Sequence, residues 1–267
     1  MERMFNNCQR LTTLNFPNGF DTSSVTNMGS MFEGCLELTS LNLNNFDTSS
    51  VTNMGSMFES CGKISTLNFP ISFDTSQVTN MGRMFRWCRS LQYLINLNNF
   101  NTSNVTDMNS MFQVCEEITS LDLSNFDTSN VTNMGSMFWA CISLESVNIS
   151  SFDTSNVTTM YGMFCACTSL ASLDLSNFDT SSVISMYAMF ASCSYLTSLD
   201  LSNFDTSNVT NMEQMFDGMS LTYLDLRNFN TSNVTNMMRM FENCSSLMLL
   251  DISNFQISQQ TQVGEML

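Results

Sequence analysis

The sequence predicts an α/β repeat solenoid: one parallel sheet with a single strand per repeat, and short helical or 3₁₀ segments, or a short second strand, on the return side. Three observations carry this. A Met-Phe pair recurs at Met4, Met31, Met57, Met84, Met111, Met137, Met163, Met189, Met215 and Met240, at intervals of 25 to 27 residues. Leu-x-Leu recurs in one register at Leu41, Leu121, Leu173, Leu199 and Leu224, and nine of the ten cysteines fall in one column of the same register. The chain therefore reads as a single solenoid over residues 1–267, about ten repeats of 25–27 residues, cut mid-repeat at both ends.

Residues 121–144 display one unit, from Leu121-Asp122-Leu123 through Asp127-Thr128-Ser129 and Val131 to Met137-Phe138, Cys141 and Leu144. Leu121 and Leu123 flank a polar residue, as do Leu41 and Leu43, Leu173 and Leu175, Leu199 and Leu201, and Leu224 and Leu226. That alternation is the period of a strand with one buried face. Val131, Met134, Met137, Phe138 and Cys141 are spaced for a short helical segment facing the core. The β-favouring Val and Thr keep a second short strand open. Asp127-Thr128-Ser129 offers side-chain oxygens to cap the return segment. Length changes at Pro17-Asn18-Gly19, around Pro70, at Leu94-Ile95 and after Met219 place loops at or near the strand. Met1 aligns with Met28, and Val263–Met266 with Val131–Met134.

Composition limits the chemistry. The chain has 24 acidic and 8 basic residues, a net charge of −16 and no histidine. Nucleic acid and anionic membranes are poor partners for such a charge. Histidine is the usual base near neutral pH, and no nucleophile stands beside an obvious base, so no enzyme is expected and no catalytic residue is assigned. No apolar run is long enough to span a bilayer, and Met1 opens on the repeat rather than on a signal.

The unit Leu-x-x-Leu-x-Leu-x-x-Phe-Asp-Thr-Ser-x-Val-Thr-x-Met-x-x-Met-Phe-x-x-Cys resembles the BspA-like leucine-rich-repeat surface proteins, and it does so over essentially the whole chain. The resemblance implies a leucine-rich-repeat-like fold, an extracellular or cell-surface setting, and roles in adhesion or host contact. It brings no catalytic residues.

Several columns are candidates for chemistry. Cys8, Cys35, Cys61, Cys88, Cys115, Cys141, Cys167, Cys193 and Cys244 share a column in which Met219 takes one place. Methionine fills apolar space and cannot bridge, which favours packed free thiols over disulfides or zinc. Cys165 lies outside the column and is expected to be exposed. Asp122, Asp174, Asp200 and Asp225 stack mid-strand, where calcium between repeats is the alternative to solvated carboxylates; otherwise no cofactor is expected. Asn104, Asn130, Asn156, Asn208 and Asn233 begin Asn-Val-Thr triplets, which have meaning as glycosylation acceptors only in a eukaryotic secretory protein.

Binding specificity is expected where outward residues differ between units. The strand face repeats Ser, Asp and Ser, whereas the return side carries Arg83, Arg86, Trp87 and Arg89 in one unit, Trp139 in another, and Tyr161 and Tyr187 in two more. Trp, Tyr and Arg are enriched at binding hot spots. The leading expectation is a non-enzymatic, surface-displayed module that recognises a protein or glycan. A scaffold that stacks with copies of itself and a calcium-stabilised spacer are the alternatives.

Overall fold

The structure, a computed structural model, describes residues 1–17 and 19–267; Asn18, in the first insertion, lies outside the described residues. Eight short strands form on the Leu-x-Leu side: β1 Thr13–Leu14, β2 Ser40–Leu41, β3 Thr66–Asn68, β4 Tyr93–Ile95, β5 Ser120–Asp122, β6 Ser146–Asn148, β7 Tyr223–Asp225 and β8 Leu249–Asp251. They pair in parallel as β1-β2, β3-β4, β5-β6 and β7-β8. The expected single sheet is thus four two-stranded pieces. One interruption follows Leu94-Ile95, where the inserted residues turn through a 3₁₀ segment, Leu97–Asn99, and part β4 from β5.

The opposite side is continuous. A parallel bridge links each repeat to the next, from Asn27↔Asn53 through Asn80, Asp107, Asn133, Thr159, Ser185, Asn211 and Asn236 to Gln262. The bridge column sits just ahead of the Met column, so Gln262 assigns Val263 to the place of Met237 and Met266 to that of Met240. This corrects the sequence alignment of Val263–Met266 by three positions.

The return segment is neither an α-helix nor a strand. Alternate N–H groups go forward to the next repeat: Met108 to Asn133 O, Ser110 to Gly135 O, Phe112 to Met137 O and Val114 to Trp139 O, at 2.8–3.1 Å. Between them, Met111, Gln113 and Cys115 donate three residues back, closing successive tight turns. Ser110 at φ 56° and Val114 at φ 60° take the third position of alternate turns, where a type II turn requires positive φ. The same two places recur as Ser136 and Ala140, Gly162 and Ala166, and Gln214 and Gly218. A left-handed residue every four positions prevents helix propagation, and inter-repeat bonding compensates for it. Periodicity could not distinguish this train of turns from a helix, because both return apolar residues to the core every three to four positions.

The core lies between these two sides. Ten phenylalanines from Phe5 to Phe241 stack with centroids 5.5–6.0 Å apart and planes within 15° of parallel. Such offset contacts contribute about 0.5–1.5 kcal/mol each beyond area burial. Both Met columns from Met28 to Met240 are fully buried beside them.

Polar ladders tie repeat to repeat. Thr128 is fully buried; its Oγ1 donates to Asp153 O and accepts the Asp153 N–H, both at 2.8 Å. Thr22, Thr75, Thr154, Thr206 and Thr231 make the same reciprocal pair with the next repeat. The capping expected of Asp-Thr-Ser therefore divides: Asp127 Oδ1 accepts the Ser129 N–H at 3.0 Å, while the threonine joins repeats. Asn130 and Asn156 donate from Nδ2 to Ser103 O and Ser129 O at 2.7–2.8 Å, so these triplet asparagines serve the stack.

All ten cysteines are free. Cys88 and Cys141 donate from Sγ to the Phe58 and Phe112 carbonyls of the preceding repeat at 3.0 and 3.1 Å. Burial pushes both thiols up to about 12. Cys165 is 8% exposed, contrary to the sequence expectation: it packs in a small outer cluster with Ala188 and Ala191, under Trp139 and Tyr187. The bulky neighbours on adjacent repeats cover a position that faces outward on its own turn.

Candidate functional site

The return side divides into a polar part and an aromatic part. Asn27, Asn53 and Asn80 occupy the bridge column, each followed two residues on by Gly29, Gly55 and Gly82. Each asparagine turns its Oδ1 onto the N–H of its own glycine at 2.8–2.9 Å. A β-carbon on Gly29 would lie 2.9 Å from Asn53 Nδ2, one on Gly55 3.1 Å from Asn80 Nδ2, and one on Gly82 3.0 Å from Asp107 Oδ2. The glycines are thus what lets each amide or carboxylate lie flat over the preceding repeat.

The result is an open polar groove of about 390 Å³ running along the stack. Ser30, Ser56 and Arg83 are among the residues that line it. At one end Glu2 accepts from Asn27 Nδ2 at 3.0 Å. At the other, Asn109 Nδ2 donates to Gly135 O at 2.8 Å and to Tyr161 Oη at 2.7 Å. The Tyr161 ring lies directly over Gly135, where a β-carbon would come within 2.2 Å of it, and so closes the groove. Among the described residues, Nδ2 of Asn53 and of Asn80 has no partner, leaving donors spaced by one repeat, roughly 4.8 Å.

The residues singled out in the sequence do not form one patch. Arg83 lines the groove and Tyr161 stands at its end. Arg86 is drawn into a ladder, its Nη1 on Glu59 at 3.0 Å and its Nε on Gln113 Oε1 at 2.6 Å. Arg89 pairs with Glu116 and sits 4.6 Å from the Trp87 ring centroid, with Arg86 at 5.9 Å. Trp87 remains 37% exposed on this ridge. Trp139 lies across Gly162, and Tyr187 donates to Gln214 Oε1 at 3.0 Å; both roof the Cys165 cluster.

The aspartates expected mid-strand are engaged locally, although of those four only Asp122 and Asp225 lie in strands, each at the end of its own. Asp122, Asp174 and Asp200 each accept the N–H of a serine two residues on at 2.9–3.1 Å, and those contacts hold their carboxyls below the ordinary range. Asp225 is held lower still by the Arg227 guanidinium, 2.6 Å away, which also faces Asp251. Among the described residues no three acids or cysteines converge as a metal site. A larger opening of about 700 Å³ lies on the strand side between 199–202 and β7, but its one cation is already paired. The strand face is less monotonous than the sequence suggested: Tyr93, Ile95, Tyr223 and Leu249 are exposed there.

Sequence reasoning missed Asn53, Asn80 and the glycine floor, because Asn-Met-Gly recurs with the repeat and does not stand out as a departure from it. The signal was present: Asn-x-Gly recurs at 27–29, 53–55 and 80–82, gives way to Asp107-Met108-Asn109 and returns at 133–135.

No helix is long and apolar enough to cross a membrane among the described residues. In fold, the chain is similar to a leucine-rich repeat protein from Bacteroides ovatus, with 21% identity over 93% of this chain and 68% of that one and a TM-score of 0.41. A leucine-rich repeat protein from Eubacterium ventriosum matches at 19% identity, 65% and 41% coverage and a TM-score of 0.43, this chain spanning less than half of that one. A leucine-rich cell surface protein from Faecalibacterium prausnitzii matches at 16% identity, 84% and 75% coverage and a TM-score of 0.37. No curated protein matches the chain. With matches to the family profile over residues 1–120, 62–173, 89–198 and 171–267, which together cover its whole length, the chain belongs to the family described as Mycoplasma protein of unknown function, DUF285.

Proposed function

We propose that this chain is a non-enzymatic recognition module, displayed at a cell surface, that holds a protein or glycan partner on its return side. The observation that carries this reading is the juxtaposition of the open groove, with its unpartnered amides, and the exposed Trp87 ridge beside it. The BspA-like resemblance supports surface display and adhesion. Elsewhere many of the repeating polar groups are consumed in ties between repeats.

The test is binding of the immobilised intact chain to a panel of extracellular glycoproteins, with Arg83→Ser and Trp87→Ser combined. Serine occupies the equivalent left-handed positions at Ser56 and Ser60, so the backbone is preserved. Saturable binding that falls at least tenfold in the variant supports the reading. Undiminished binding refutes the assignment to this side.

A further inference from the structure

We propose that the groove binds a neutral glycan strand laid along the stack, across the repeats that contribute Gly29, Gly55 and Gly82. This deepens the recognition reading above and rests on it.

The argument starts from what the groove can bond. Its floor backbone is spent: Met28 and Ser30 donate to Asn53 O and Gly55 O, Met54 and Ser56 to Asn80 O and Gly82 O, and Arg83 to Asn109 O. An extended peptide needs a free strand edge or apolar pockets for alternate side chains. Neither is here, since no apolar side chain lines the groove. What remains is side-chain chemistry: the Nδ2 donors of Asn53 and Asn80, the Asp107 carboxylate, the serine hydroxyls and Arg83. Planar amides, which donate through Nδ2, and a carboxylate, which accepts, together match vicinal hydroxyls that do both. They do so at a spacing of one repeat, so successive sugar rings of an extended chain would each meet a similar set. Flat side chains lying over glycine leave room for a ring above them, and Tyr161 closes the end with an aromatic edge.

Charge sets the class of glycan. Within the groove Arg83 is opposed by Glu2 and Asp107, and the whole chain carries −16. Sulfated or uronic-acid-rich chains would be repelled over a Debye length of about 8–10 Å at physiological salt, whereas a neutral strand would not.

The test titrates the intact chain by calorimetry with chitohexaose, cellohexaose and maltohexaose, and with a heparin hexasaccharide. The probing variant is Asn53→Asp with Asn80→Asp. Aspartate keeps the Oδ1 that caps the glycine N–H, as Asp107 does for Asn109 at 2.9 Å, and removes the donors while adding one negative charge at each position. Asn211→Asp, in the same column but outside the groove, controls for added charge. At least one neutral hexasaccharide should bind, weaken tenfold or more in the double variant, and bind Asn211→Asp as it binds the unmodified chain.

The inference is overturned if no neutral hexasaccharide binds below about 1 mM, if the double variant binds equally, if Asn211→Asp weakens binding as much, or if heparin binds more tightly. Glycoprotein binding that is lost in Arg83→Ser with Trp87→Ser, while all hexasaccharides fail, would remove the glycan and leave the recognition reading standing.

Discussion

Replacing Thr128 by Val keeps the shape of a fully buried side chain and deletes one hydroxyl that is both donor and acceptor to Asp153. Two hydrogen bonds at about 1 kcal/mol each give a loss of about 2 kcal/mol. Thr48 is 1% exposed in the same column, but its Oγ1 has no partner. The next repeat there carries the insertion around Pro70, ahead of Asp74, the residue that should have received the bond. Thr48→Val therefore breaks nothing and relieves a buried unpaired hydroxyl, for a gain of about 1 kcal/mol. The two substitutions, chemically identical, in one column and three repeats apart, should differ by about 3 kcal/mol in opposite directions. Urea unfolding followed by circular dichroism reads this. With a slope of about 3 kcal/mol/M, Thr128→Val lowers the midpoint by roughly 0.7 M while Thr48→Val leaves it equal or higher. Equal losses in both variants would refute the reciprocal threonine tie as the source of stability.

The remaining predictions concern thiols, pH and backbone. Native labelling with a thiol reagent should modify chiefly Cys8, the one exposed cysteine, and all ten should react in denaturant; fewer than ten would reveal a disulfide. Burial raises the folded pKa of Cys88, Cys141 and Cys193 from 9.0 to about 12, so their contribution is fully present below pH 9 and is lost as pH rises from there through 12. Unfolding midpoints should fall above pH 9. The aspartates of the turns have the opposite sign: Asp21, Asp47, Asp153 and Asp205 are lowered from 3.8 by the serine two residues on, so their contribution is present above pH 3.8 and lost on acidification below it. A midpoint unchanged between pH 5 and 3 would contradict this. Ala140→Gly, at φ 58°, should stabilise the chain by about 1 kcal/mol. Gly218→Ala, in the same left-handed column with its nearest neighbour at 3.5 Å, should cost about as much.

Much of the architecture was legible because a repeat states its core many times over. The Met and Phe columns and the cysteine column were read as packing from their identity alone, and they are the buried columns of the structure. Met219 in the cysteine column was enough to argue against bridging, and the thiols are free. The return segment was not legible: its apolar spacing is that of a helix, but its N–H groups alternate between the same turn and the next repeat. That choice is made by a neighbour 26 residues away, which no local window contains.

The candidate site shows the same division. Arg83 and Tyr161 stood out as departures from the repeat, while Asn53 and Asn80 were hidden within it. By itself the sequence determined the repeat, its period and the columns that must be buried, since apolar identity at a fixed register needs no neighbour to specify it. Only the tertiary structure decided which repeated polar groups are consumed between turns and which are left free. That depends on the partner each group finds in the adjacent repeat: the Nδ2 of Asn130 finds a carbonyl, and the Nδ2 of Asn53 finds only the groove.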